Sequence, residues 1–261
     1  MIANKHYEEI CCDFFPIFKK IPATDVFSIT LGGSYGKGLM DINSDFDFRI
    51  YYEKSVEKKE MAIILDEIKQ LVDKWKVRNV EVDGIYPRTY TEVDEQLELW
   101  LSGKGKLVPQ IWTIWGYNIL TDIYNQFIIE DPYCKAMQWK KKLSVYPEAL
   151  KTSIISLHAR SLRYWRNDYH YRNKVTRGDT VFLAYITARL IQDIIQIIYA
   201  INEFYYPGDG MNLLYTRNFC KKPIDFEERV TSILYQENSD EKYFLQYKRI
   251  IALIDDTLKL L

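Results

Sequence analysis

The chain has 261 residues, enough for one large domain or two modest ones with real cores. Apolar residues make up 48% and charged residues 27%, the balance of an ordinary globular protein. The net charge of −1 speaks against a nucleic-acid binder, which would be basic, so nucleic acid is a disfavoured partner.

In chain order, residues 4–20 read as a helix, with Asn4 as its cap and Pro16 kinking or ending it. Residues 26–32 and 45–52 read as two strands around a glycine-rich turn. Residues 57–75 follow a helical period that puts Met61, Ile64, Leu65, Ile68, Leu71 and Val72 on one side. Residues 78–86 alternate as a strand, Glu92 to Leu101 form a short helix, and residues 112–120, rich in Trp and Ile, form a further strand. After Pro132 the texture changes. Tyr146-Pro147-Glu148 starts a helix, because proline is tolerated in the first turn. Helical patterns then run through 147–170, 179–203, about 225–236 and 239–260. The chain is therefore predicted to divide into residues 1–135, mixing strands and helices, and residues 136–261, nearly all helical.

Four cysteines, Cys11, Cys12, Cys134 and Cys220, lack metal-ligand spacing and are expected to be reduced, mostly buried thiols of a cytoplasmic protein. The N-terminus has no signal-peptide layout. The apolar stretch Val181 to Ile201 carries Arg189 and Asp193, so it reads as a buried helix rather than a membrane span. Its polar residues Arg189, Gln192, Asp193 and Gln196 fall on one stripe, taken as the solvent face, with Asp179 as the N-cap. Only three histidines are present, which disfavours both a His-based zinc site and a Ser-His-Asp triad.

The most informative stretch is Leu31-Gly-Gly-Ser-Tyr-Gly-Lys-Gly38 followed by Ser44-Asp45-Phe46-Asp47. Residues two apart on a strand point the same way, so Asp45 and Asp47 present paired carboxylates while Phe46, Phe48 and Ile50 face a core. Hard oxygen ligands of this kind suit magnesium, which takes one or two carboxylates plus substrate phosphates. The glycines allow close approach of a ligand to the backbone, the Ser34 hydroxyl can donate to phosphate oxygens, and Lys37 adds a point charge. Lys37 is followed by Gly38 rather than Ser or Thr, which disfavours a Walker-type ATPase.

Gly33-Ser34, ten residues, then Ser44-Asp45-Phe46-Asp47 resembles the signature of the polymerase-β-like nucleotidyltransferases, and most of all the small bacterial enzymes that adenylylate aminoglycoside and lincosamide antibiotics. The likeness covers Leu31 to Ile50 strongly and the rest of the chain loosely, in element order and helical tail. It implies an α+β fold, a mixed nucleotidyltransferase sheet with flanking helices followed by a helical bundle that closes over the substrates. It further implies an enzyme that uses Mg2+, in all two ions, and ATP or another nucleoside triphosphate. Nucleoside monophosphate would pass to a hydroxyl of a small molecule, with a protein hydroxyl in a toxin–antitoxin system, or nucleotide binding without turnover, as the alternatives. In this picture Asp45 and Asp47 are catalytic and hold metal. Gly33, Ser34, Lys37 and Ser44 bind nucleotide. No membrane partner is expected, and the protein would be a monomer or homodimer.

Two-metal phosphoryl transfer needs a further carboxylate on a neighbouring strand. Val80-Glu81-Val82-Asp83 offers two, Glu81 and Asp83, of which Glu81, flanked by valines, fits the resemblance better as catalytic and metal ligand. From Glu81 to Glu98 the chain carries six acids against one Arg, and from His158 to Gly178 six Lys/Arg against one Asp. An acidic metal edge and a basic helical lobe, with Arg172 and Lys174 as nucleotide-binding residues, would complete a magnesium–triphosphate site.

Overall fold

The protein is described by a computed structural model over residues 6–41, 44–106, 118–208, 210, 212–235, 239 and 241–261. It divides into two units, Met1–Trp100 with Ile119–Val145, and Leu101–Asn118 with Tyr146–Leu261. The predicted division near residue 135 falls inside the first of these.

The first unit is built on a four-stranded sheet. In chain order it runs α1 (Tyr7–Phe18), β1 (Phe27–Leu31), α2 (Gly33–Gly36), β2 (Phe46–Tyr52), α3 (Lys58–Lys76), β3 (Val82–Thr89), α4 (Tyr90–Leu101), α5 (Asn118–Asn125), β4 (Phe127–Glu130) and α6 (Lys135–Lys142). The strand order is β3-β2-β1-β4. β1 pairs antiparallel with β2 and β4, and β2 pairs parallel with β3, so the sheet is mixed as the sequence predicts.

Alternation along β2 sorts its side chains onto two faces. Phe46, Phe48 and Ile50 are fully buried, with Phe48 5.1 Å from the Phe18 ring and 5.9 Å from Phe14 of α1. Ile64, Ile68 and Trp75 of α3 join the same core. Leu65, predicted on that face, is exposed. Each large apolar side chain sealed this way contributes about 2–3 kcal/mol of transfer free energy.

The opposite face is also covered, and with polar groups. Tyr51 packs on Trp139 of α6 at 5.0 Å, and its hydroxyl donates to Gln126 Oε1, which also accepts from Thr30 Oγ1. Ser28 donates to Asp131 and pairs with the Tyr90 hydroxyl. The Tyr51, Thr30, Ser28 and Tyr90 hydroxyls each have a partner, the condition for burying them, while Gln126 Nε2 has none among the described residues.

Several elements differ from their sequence reading. Pro16 sits in the last turn of α1, which ends two residues later, and His6 stands at its N-cap position; Asn4 lies outside the described residues. Of the predicted strand 112–120, residues 112–117 lie outside the described residues, and Asn118–Leu120 open α5 instead. β4 and α6 have no counterpart in the sequence reading. α4 begins at Tyr90 because Thr89 and Glu92 form a capping box. Glu92 accepts from the Thr89 amide at 2.7 Å, and the Glu92 amide donates to Thr89 Oγ1 at 3.2 Å. Cys11 is buried, but Cys12, Cys134 and Cys220 are exposed, contrary to expectation; all four are free thiols.

The second unit is helical: α7 (Glu148–Asn167), α8 (Tyr169–Arg177), α9 (Thr180–Ile201), α10 (Asn212–Thr216), α11 (Phe226–Leu234) and α12 (Lys242–Leu258). From Asp193 to Ile201 every residue of α9 is buried, the pattern of a core helix. Among the described residues it alone is long and apolar enough to cross a membrane, and it lies mostly inside the protein. Its polar stripe is a solvent face only at Arg189, which is exposed. Asp193 and Gln196 are buried, and Asp193 pairs with His158 Nδ1 at 2.6 Å and accepts from Ser161 Oγ at 2.7 Å rather than meeting Arg189. Asp179 holds the N-cap position of α9 without a side-chain cap bond, because its carboxylate pairs with Lys174. Tyr205 and Tyr206 are core residues, packed on Tyr146 and Tyr199 respectively.

Candidate active site

β1 ends at Leu31 and the chain turns back through Gly32 and Gly33 into the single turn of α2. The Gly32 amide donates to the Asp47 carbonyl at 2.9 Å, which ties the turn to the start of β2. Gly33 has φ +53°, and a Cβ there would lie 1.8 Å from Asp47 Oδ2. A Cβ on Gly32 would lie 2.5 Å from Asp122 Oδ1 and 3.1 Å from Arg49 Nη2. Only glycine admits these approaches. Tyr35 stacks on Phe46 at 4.7 Å and fixes α2 over the strand. The Ser34 hydroxyl oxygen is buried and, among the described residues, has no hydrogen-bond partner. A buried hydroxyl left so is costly, and a ligand oxygen would satisfy it.

Asp45 stands just before β2 and Asp47 within it. Burial pushes the Asp47 carboxyl up to about 6, opposed by the nearby Arg49 charge and reinforced by Asp45, Asp122 and Asp83. Asp83 of β3 is the direct strand partner of Asp47, with a register irregularity immediately after that pair. Glu81 precedes β3, is exposed, and lies 3.6 Å from Lys76 Nζ, while its carbonyl accepts from the Phe46 amide. Among the described residues no three His, Cys, Asp or Glu side chains gather into a ready-made metal cage, and Asp45, Asp47 and Glu81 therefore do not form one. The carboxylates present match magnesium's habit of taking one or two from protein and the rest from phosphate and water.

The remaining predicted site residues separate into two groups. Lys37 caps the end of α2, and the Ser44 hydroxyl is hydrogen-bonded to Asp41, so both lie on the segment joining β1 to β2. Arg172 and Lys174 belong to α8 in the second unit, where Lys174 pairs with Asp179 at 2.6 Å. Much of the acidic stretch has structural work. Glu92 is in the capping box, Asp94 accepts from Lys135 and Trp139 Nε1 at 2.7 Å each, and Glu98 faces Lys142.

Two residues of the site escape the sequence reading. Arg49 shares the face of Asp45 and Asp47 by strand alternation, a signal that was legible. It is buried, donating from Nε to Asp122 Oδ2 at 2.9 Å and from Nη2 to Asp122 Oδ1 at 3.3 Å, with Nη1 3.5 Å from Asp47 Oδ1. Burial works against its charge, but Asp122 and Asp47 outweigh that and raise its pKa. Asp122 sits on α5, and no local pattern marks it as a partner for β2.

Residues 8–102 match the profile of the nucleotidyltransferase domain family, of the polymerase-β-like superfamily. Residues 112–210 match a domain family of unknown function (DUF4037). No curated protein matches the chain. The chain thus carries a nucleotidyltransferase domain holding the glycine turn, Asp45, Asp47 and Asp83, and is a transferase that uses a nucleoside triphosphate.

Proposed function

We propose that this protein transfers a nucleoside monophosphate, AMP from ATP by preference, to a hydroxyl group of a small molecule in a Mg2+-dependent reaction. The observation that carries this reading is the close approach of the Asp47 carboxylate to Gly33, where a Cβ would lie 1.8 Å from Oδ2, which joins a carboxylate strand and a glycine turn in one site. Bound Mg2+ would neutralise the phosphate oxygens and stabilise charge developing on the leaving group. Asp45 and Asp47 are the residues that would hold it.

Gly33 and Ser34 form the phosphate cradle, with the unsatisfied Ser34 hydroxyl donating to a phosphate oxygen. Lys37 adds positive charge at the same turn. In the reaction the acceptor oxygen forms a bond to the α-phosphorus, the bond from that phosphorus to the bridging oxygen breaks, and pyrophosphate leaves. The acceptor's proton passes to a carboxylate. Asp83 takes that role in preference to Glu81, because Asp83 lies beside Asp47 in the strand register whereas Glu81 precedes the strand and pairs with Lys76. The aminoglycoside and lincosamide classes are the first acceptors to test. Full-length protein with Mg2+, each nucleoside triphosphate and an antibiotic panel should yield an acceptor whose mass rises by one nucleoside monophosphate. Gain of a single phosphate instead would make it a kinase and end this reading.

A further inference from the structure

We propose that Asp122 is a positioning residue of this site, which keeps the Asp47 carboxylate open to a divalent metal by occupying Arg49. The inference rests on the transferase reading above. Arg49 and a metal ion compete for the same oxygen lone pairs, since a guanidinium is itself a strong partner for carboxylate. The geometry resolves that competition. Nε and Nη2 of Arg49 fork onto the two oxygens of Asp122 at 2.9 and 3.3 Å, and Nη1 donates to the Phe48 carbonyl at 3.3 Å. Asp47 Oδ1 is left at 3.5 Å from Nη1, an electrostatic neighbour rather than a forked partner. Gly32 makes the arrangement possible, because any side chain there would collide with Asp122 Oδ1. Asp122 lies in the segment matching the family of unknown function, while Gly32, Asp47 and Arg49 lie in the nucleotidyltransferase match. One function of that second segment is therefore to complete the site of the first.

The test is Mn2+ binding to the full-length protein, read by the loss of the free-ion electron paramagnetic resonance signal, without catalysis. Asp122→Ala frees Arg49 to close on Asp47 and should weaken Mn2+ binding at least tenfold. Adding Arg49→Met to that variant removes the competitor and should restore binding to within about threefold of wild type. Asp122→Asn, which keeps the shape, should show a smaller loss in the same direction, and it serves if the alanine variant does not fold. A merely structural Asp122 predicts that the double variant binds no better than the single one. That result, or wild-type affinity in both single variants, overturns the role of Asp122. Wild-type protein that binds no Mn2+ overturns the transferase reading along with it, whereas binding abolished by Asp47→Ala yet indifferent to Asp122 leaves that reading standing.

Discussion

Alanine at position 33 would place a methyl carbon 1.8 Å from Asp47 Oδ2, in a backbone conformation that L side chains rarely adopt. Gly33→Ala should cost about 3 kcal/mol in urea unfolding, and pyrophosphate release should fall by orders of magnitude, because Asp47 itself must move. Asp47 is the second sensitive residue. Its folded carboxyl titrates near 6 against an ordinary value of 3.8, so the folded state holds the extra proton between those limits. Stability of the metal-free protein therefore falls as pH rises from about 4 to 6 and stays lower above that. Asp47→Asn removes the fall. It should stabilise metal-free protein by about 2 kcal/mol at pH 7.5, do so little at pH 4, and abolish turnover. A variant less stable than wild type at pH 7.5 would contradict the desolvation argument. At this scale the sequence was most legible where chemistry is local: the turn, the alternating aspartates and the buried phenylalanines of β2 all follow from spacing. Asp122 did not, since its partner Arg49 lies 73 positions earlier in the chain and only the fold joins them.

At the scale of elements, the acidic stretch from Glu81 to Glu98 shows how charge misleads when read without partners. Asp94 satisfies the Trp139 indole and Lys135, and it binds α6 to α4. Asp94→Ala should lower stability by about 2 kcal/mol, by leaving the indole donor unpaired, with turnover per folded molecule unchanged. Thermal unfolding beside a turnover assay checks both halves. The polar stripe of α9 misleads in the opposite sense. A helical wheel finds the stripe but cannot tell whether water or protein faces it, and here His158 and Ser161 of α7 take Asp193. Gln196 is buried and, among the described residues, neither side-chain atom is hydrogen-bonded, so Gln196→Leu should raise the unfolding free energy by about 1–2 kcal/mol. A loss of stability in that variant would show that the amide is satisfied in solution. Pattern reading also favoured a strand across 112–120 because Trp and Ile are good strand formers, yet α5 opens inside that range.

For the whole molecule, the fold class was legible because strand patterns are confined to the first part of the chain while helical ones run on alone, and the mixed sheet is what the family resemblance implies. The mixed sheet and the helical unit that follows are those the sequence predicts. The place of the division was less legible, since β4 and α6 return to the sheet after the excursion that begins at Leu101. The second family match, residues 112–210, draws on both units, and the acceptor is written in neither match. The central claim is metal-assisted nucleotidyl transfer at Asp45 and Asp47. It is tested most directly by incubating wild type and the Asp45→Ala, Asp47→Ala double variant with Mg2+, the acceptor panel and nucleoside triphosphate labelled separately at the α- or γ-phosphate. The account predicts acceptor carrying α-label, γ-label released as pyrophosphate, and neither product from the double variant. Acceptor carrying γ-label, or undiminished transfer by the double variant, would contradict it.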